Sequence, residues 1–199
     1  MKLLFAILLL TICMSKASAQ LQLGVKGGYN LANIPYSLSY ATQKYLSGFN
    51  AGVIAALPVS SHLKLQAEIV YSVQGSKETL HATPGDQDIT SRNNYLNIPV
   101  LFVYRDQSGF FIETGPQLGI FLNGKTIYGG AGEVNATIYI QPGDFAWVVG
   151  LGYMIQKINL GIDVRYNIGF TNINTDDAPG TAQFNRVFQF GLFYLFKRL

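Results

Sequence analysis

From Ile158 to Phe170 the chain alternates without a break. Ile158, Leu160, Ile162, Val164, Tyr166, Ile168 and Phe170 take one parity, and Asn159, Gly161, Asp163, Arg165, Asn167 and Gly169 take the other. A period of two is a β-strand with unlike faces. On a helix, where neighbours lie three and four apart, the two sets would mix around the circumference. Seven further stretches repeat the pattern, and together they predict strands at 21–31, 47–58, 62–74, 93–105, 109–122, 145–155, 157–170 and 185–197. Each meets or exceeds the roughly 9–11 residues that a tilted strand needs to cross hydrocarbon.

The connections alternate as well. Links 32–46, 75–92, 123–144 and 171–184 are long, whereas Val59-Ser60-Ser61, Asp106-Gln107-Ser108 and the Gln156 turn are tight. Strict alternation gives two unlike ends, as when short turns face the periplasm and long loops face outside. Turn-forming clusters at Asn33-Ile34-Pro35, Pro84-Gly85-Asp86, Gly129-Gly130-Ala131-Gly132, Pro142-Gly143-Asp144 and Asp177-Ala178-Pro179-Gly180 all fall in the long links. No internal repeat and no interdomain linker is evident.

Parity decides which face meets which solvent. The apolar set carries Leu21, Leu23 and Val25, then Phe49 and Val53, Ile69 and Tyr71, Ile98, Val100, Phe102 and Tyr104, Ile112 and Leu118, Val149 and Leu151, and Phe190 and Leu192. Apart from Arg186 at a strand end, this parity has no charge. The opposite parity holds Lys26, Lys64, Glu68, Arg105, Glu113, Asp163 and Arg165 among many glycines. Only 13% of residues are charged, against roughly 25–35% on a surface bathed in water. A water-soluble barrel would put the apolar set inside and the charged set out. The glycine-rich, charge-poor second face makes a poor water-facing surface, so the apolar set is expected to touch lipid. Aromatic residues near both strand ends fit two interfacial girdles: Tyr29, Trp147 and Phe188 toward the long loops, Tyr104, Tyr153, Tyr194 and Phe196 toward the short turns. Pro99 and Pro116 each remove a ladder donor within a predicted strand, which calls for a bulge or a local break.

The first residues read as an export signal: Lys2, an apolar run from Leu3 to Met14 too short to span a bilayer, and the cleavage motif Ala17-Ser18-Ala19. This divides the chain into a signal peptide, 1–19, and a barrel domain, 20–199. Cys13 is the only cysteine, and Ile12 before it argues against lipidation. Without Lys2 and Lys16, 12 of the 14 basic residues remain against 11 acidic ones, a net charge near +1 that excludes an electrostatic nucleic-acid binder. No apolar run after the signal approaches the roughly 20 residues of a membrane helix, so a membrane-spanning form must use strands. The expected fold is therefore all-β: an eight-stranded antiparallel up-and-down barrel in the outer membrane.

Three sets of residues carry a family resemblance. They are Gly24-Val25-Lys26-Gly27-Gly28-Tyr29-Asn30-Leu31, then Tyr95-Leu96-Asn97-Ile98-Pro99-Val100-Leu101 with Gly115-Pro116-Gln117-Leu118-Gly119, and Asp163-Val164-Arg165-Tyr166 leading to Gly169-Phe170-Thr171-Asn172-Ile173. On these the chain resembles the PorT-like family of outer-membrane β-barrels. The resemblance implies an eight-stranded barrel, in a family with one member linked to secretion of other proteins, and says little about activity.

Candidate chemistry centres on the inward parity. Lys26, Lys64, Glu68, Glu113, Asp163 and Arg165 are expected to project into one lumen, where opposite charges must pair. An eight-stranded barrel is barely wide enough for its own side chains, so a salt-bridge plug is favoured over an ion path. His81 lies near Ser76, Glu78, Asp86 and Asp88 on the long-loop side, whereas His62 abuts a short turn. A lipid- or peptide-modifying enzyme using His81 is the runner-up reading, and a narrow solute pore the third. Asp176-Asp177 with Asn172 and Asn174 lack the twelve-residue calcium-loop pattern. The glycines of 129–132 lack the Gly-Lys-Ser/Thr of a phosphate loop, and Lys197-Arg198 is too short for a nucleic-acid patch. Expected are no catalytic residues, no cofactor and no metal. The expected partners are outer-membrane lipid and, through the long loops, other envelope or secretion proteins, with the barrel itself a monomer.

Overall fold

The computed structural model describes residues 21–35, 41–81, 85–129, 132–135, 140–175 and 182–196. Nine strands follow one another: β1 Gln22–Asn33, β2 Ala41–Pro58, β3 Leu63–Leu80, β4 Gln87–Arg105, β5 Phe110–Tyr128, β6 Gly132–Asn135, β7 Gly143–Ile155, β8 Leu160–Gly169 and β9 Arg186–Leu195. All pair antiparallel in the order β4-β3-β2-β1-β9-β8-β7-β5-β6, and an additional β4–β5 pairing closes the ring. Closure leaves no free edge within the barrel, the condition for sheet backbone to sit in hydrocarbon. The eight predicted strands are the eight staves; β6 pairs only with the far end of β5, from Lys125 to Tyr128.

Four strands run six residues past their predicted limits, and β1 and β7 two. β2 starts at Ala41 and β4 at Gln87, while β3 continues to Leu80 and β5 to Tyr128. Much of the links 32–46, 75–92 and 123–144 is therefore strand. The β3–β4 ladder is continuous from Val70↔Asn97 to Leu80↔Gln87. Hydropathy alternation marks a strand only where its two faces meet different surroundings. Here both faces are polar, so the backbone ladder persists after the alternation has faded. β2 to β5, with β6, thus stand as a tall wall on one side of the barrel mouth.

Each proline interrupts one neighbouring ladder without shifting register. β3 and β4 pair at Ala67↔Val100 and again at Val70↔Asn97, skipping Pro99. β4 and β5 pair at Pro99↔Gln117 and again at Phe102↔Thr114, skipping Pro116, which still faces Trp147 on β7. The register shifts fall elsewhere, between Tyr45 and Asn50 in β2 and at Asn94/Tyr95 opposite β5.

The burial pattern separates the two parities. Leu118 and Ile162 are each 57% exposed on the outer wall, and Val25, Phe49, Ile112, Leu151 and Leu192 are exposed with them. Inside, three tiers stack. At the short-turn end Ile54, Ala56, Leu101, Val103, Phe111, Met154, Phe193 and Leu195 form an apolar core with Val148. Charged residues occupy the middle. Toward the long loops the lumen fills with buried amides and hydroxyls, including Asn30, Asn50, Ser72, Gln74, Asn93 and Asn97.

Candidate functional site

Strand pairing explains how charges far apart in sequence converge. Lys26 projects inward from β1, Glu68 from β3, Glu113 from β5, and Asp163 and Arg165 from β8. Arg165 sits at the centre, and its planar guanidinium matches two carboxylates at once. It donates Nε to Glu113 Oε1 at 2.6 Å and Nη2 to Glu113 Oε2 at 3.1 Å. It also donates Nη1 and Nη2 to Glu68 at 2.9 and 2.8 Å. Lys26 Nζ lies 3.3 Å from Glu68 Oε2 and 3.4 Å from Asp163 Oδ2, the same oxygen that stands 3.4 Å from Arg165 Nη2. None of the five side chains is more than 3% exposed. Gln66 adds a hydrogen bond to Glu68 Oε1 at 2.7 Å.

Two glycines make room for this cluster. A Cβ on Gly150 would sit 2.9 Å from both Arg165 Cγ and Glu113 Oε1, and one on Gly191 would collide with Asp163 Oδ1. Small residues on the inward parity are thus the space that the large charged ones fill.

Five of the six predicted network residues meet, and Lys64 stands apart. It lies four residues before Glu68 on the same strand, roughly 13 Å along it, nearer the short turns. There its Nζ donates to Gln22 Oε1 at 3.2 Å, and Gln22 Nε2 donates to the carbonyl of Phe196. Shared parity put Lys64 on the right face but could not give its depth.

The predicted girdle residues all lie on the outer wall: Tyr29, Trp147 and Phe188 toward the long loops, Tyr104, Tyr153, Tyr194 and Phe196 toward the short turns, each exposed. Trp147 Nε1 donates to Thr114 Oγ1 at 2.8 Å, and Tyr29 donates its hydroxyl to Ser47 Oγ at 2.6 Å. On the same wall an apolar recess of about 780 Å³ is lined by residues of β3, β4, β5, β7, β8 and β9, among them Phe102, Thr114, Val149, Tyr166 and Phe188. Its exposed lining is almost entirely apolar.

At the tip of the tall wall His81 joins two groups. Its Nε2 is 2.9 Å from Thr42 Oγ1 and its Nδ1 3.1 Å from Asp86 Oδ1. The hydroxyl–imidazole–carboxylate order matches that of a hydrolytic triad. Both His81 and Asp86 are more than half exposed, however, so water competes for every one of these contacts. Ser76 bonds Glu78 instead, and Asp88 accepts from Thr79. Asn172 Oδ1 accepts from the amides of Asn174 and Gln183 and so braces its loop. Asp176, Asp177, the signal segment and Lys197-Arg198 lie outside the described residues. Among the described residues no group of three or more His, Cys, Asp or Glu side chains is arranged to hold a metal.

Sequence reasoning missed the apolar core of the lower lumen. Its signal is the loss of alternation: Val100 to Tyr104, Phe110 to Ile112 and Trp147 to Val149 are unbroken apolar runs, which means that both faces are apolar there. It also missed the amide tier, whose asparagines and glutamines carry no charge to mark them.

Among solved structures, the chain is similar to Neisserial surface protein A, at 14% identity over 88% of this chain and 97% of that one, with a TM-score of 0.47. It is similar to the attachment invasion locus protein Ail of Yersinia pestis, crystallised with the heparin analogue sucrose octasulfate, at 14% identity over 89% and 99%, TM-score 0.48. The outer membrane protein OprG of Pseudomonas aeruginosa aligns at 12% identity over 91% and 98%, TM-score 0.46. Comparison with curated protein sequences finds no match. A family model described as outer membrane protein beta-barrel domain matches residues 15–174. A closed antiparallel ring, an apolar outer wall and a family match over most of its length lead to one conclusion: the chain belongs to the outer membrane protein beta-barrel domain family and resides in the outer membrane.

Proposed function

We propose that the protein is a non-enzymatic barrel whose lumen is sealed, and that it works through its outward end as a structural or adhesive element or as an accessory to a secretion or envelope complex. The observation that carries this reading is the buried cluster of Lys26, Glu68, Glu113, Asp163 and Arg165, which ties four strands together across the middle of the lumen. An ion crossing there would have to part hydrogen bonds of 2.6–3.1 Å between fully desolvated charges. The apolar cluster beneath fills much of the remaining lumen. With the axis closed, the surface left for recognition is the tall wall and the loops around it. The PorT-like motifs favour an accessory role in secretion, performed by a single barrel.

Planar-bilayer recording tests the seal. Purified protein is expected to give no stable single-channel steps, and reproducible unitary currents would refute the reading. The Thr42–His81–Asp86 row supports a second reading, a hydrolase acting at the outward tip. Turnover of an ester or peptide substrate that disappears in His81→Ala would establish it; activity equal in the two proteins would end it.

A further inference from the structure

The tall wall carries a pattern that neither the fold nor the seal requires. Lys44 on β2 stands directly opposite Lys77 on β3, and Arg92 on β4 directly opposite Lys125 on β5. The register places all four on one face, because Lys77 pairs Thr90 and Arg92 follows two residues later. Directly opposed side chains on an antiparallel pair have Cβ atoms roughly 4.5–5.5 Å apart, and like charges at that distance repel. All four residues are exposed. Two carboxylates share the face: Glu133 pairs with Lys125 at 3.0 Å, and Asp88 lies beyond Thr90, accepting from Thr79. Lys44, Lys77 and Arg92 form no ion pair among the described residues.

The direction of this face identifies its counter-charge. Arg92 shares its parity with Asn94 and Leu96 on β4, and Lys77 shares its parity with Tyr71 on β3. Tyr71 and Leu96 belong to the wall that meets lipid. The cations therefore look sideways, over the membrane, rather than up the barrel axis. Arg92 lies four residues beyond Leu96, roughly 13 Å along a tilted strand, which brings it to the headgroup layer bordering the hydrocarbon. Lys77 and Lys44 stand somewhat higher, and lysine stems are long enough to reach back toward the surface.

We propose that Lys44, Lys77 and Arg92 form a binding surface for phosphate groups carried by lipid in the outer leaflet, with the acyl chains lying against the apolar wall below. Phosphate suits the site because it supplies negative charge to both members of an opposed pair at once, and arginine holds it through two donors. The proposal goes beyond the sealed-barrel reading and does not depend on it.

The test titrates diphosphoryl lipid A, and the same lipid stripped of its phosphates, into the folded barrel in an uncharged detergent, with bound lipid counted by native mass spectrometry. Each basic residue near an anionic lipid surface is worth about a fivefold change in affinity, so the triple variant Lys44→Gln/Lys77→Gln/Arg92→Gln is expected to bind the phosphorylated lipid about a hundredfold more weakly. The dephosphorylated lipid should bind both proteins equally and weakly. Folding is checked by heat-modifiable gel migration; should the triple variant fail to fold, Lys44→Gln and Arg92→Gln alone are each expected to weaken binding about fivefold. Equal affinity of the parent and the variants for the phosphorylated lipid would overturn the proposal. So would a parent protein that does not distinguish the two lipids.

Discussion

Replacing Arg165 by methionine removes the centre of the buried cluster while keeping most of its volume. In the parent, Arg165 holds Glu68 and Glu113 by two hydrogen bonds each, at 2.6–3.1 Å. In Arg165→Met, Glu68, Glu113 and Asp163 share one cation, Lys26, which reaches Glu68 and Asp163 at 3.3 and 3.4 Å. Breaking a buried pair costs about 3–5 kcal/mol because it strands an uncompensated charge. Two carboxylates lose a bidentate partner together, which places this variant at the upper end of that range. Lys26→Met leaves the guanidinium in place, and its cost should stay near the roughly 1–3 kcal/mol of an unsatisfied buried group. Equilibrium unfolding in guanidinium of barrels folded into lipid vesicles reads both values, through the fluorescence of Trp147, the single tryptophan. The triple change Arg165→Met/Glu68→Gln/Glu113→Gln should recover more than half of the loss, since it removes the stranded charges. If Arg165→Met unfolds within about 1 kcal/mol of the parent, the size of an ordinary substitution, the cluster does not hold the barrel together.

Other consequences follow from the same geometry. Gly191→Ala drives a methyl group into Asp163 Oδ1, while Asp163 Oδ2 is held by its ion pairs; overpacking of this kind should lower stability by about 1–3 kcal/mol in the same assay. Ile162→Lys on the lipid face should cost about 2–4 kcal/mol in vesicles, whereas Ile162→Leu should cost almost nothing. At the short turn, the Ser108 hydroxyl donates to Asp106 at 2.6 Å and, with the Gly109 amide at 3.0 Å, holds that carboxyl below the ordinary aspartate value of 3.8. Because the folded value is depressed, this contribution is present above 3.8 and is lost as pH falls through the lower folded value. In an NMR titration the shift of the Gly109 amide should have its midpoint below pH 3.8, and Asp106→Asn should abolish the shift.

The staves and their two faces were legible because a bilayer outside and a polar lumen inside impose unlike demands on successive residues. Where those demands end, so does the signal. Thr42 to Tyr45, Ser76 to Leu80 and Gln87 to Arg92 carry polar residues on both faces, and only their ladders show that they are strand. The four residues of β6 are all exposed and had no pattern to declare them. Membership of the charge cluster was readable from parity, since Glu68, Glu113 and Asp163 all fall opposite the greasy set. Depth was not: it depends on how each strand is staggered against the next, which separated Lys64 from the other five. The partner of His81 was hidden for the same reason. Thr42 lies on another strand, in a link that reads as loop.

Whether hydrocarbon touches the exposed parity can be read residue by residue. Cys13 is the only native cysteine, so after its replacement single cysteines can carry nitroxide labels at Leu118, Ile162 and Leu192 on the outer wall and at Ser72, Val148 and Val187 inside. In vesicles, spin relaxation by dissolved oxygen and by a water-soluble nickel chelate should separate the two sets. The outer labels should be open to oxygen and closed to nickel, and the inner labels should be shielded from both. Outer labels as open to nickel as those on a water-soluble protein would mean that water, not lipid, surrounds the barrel.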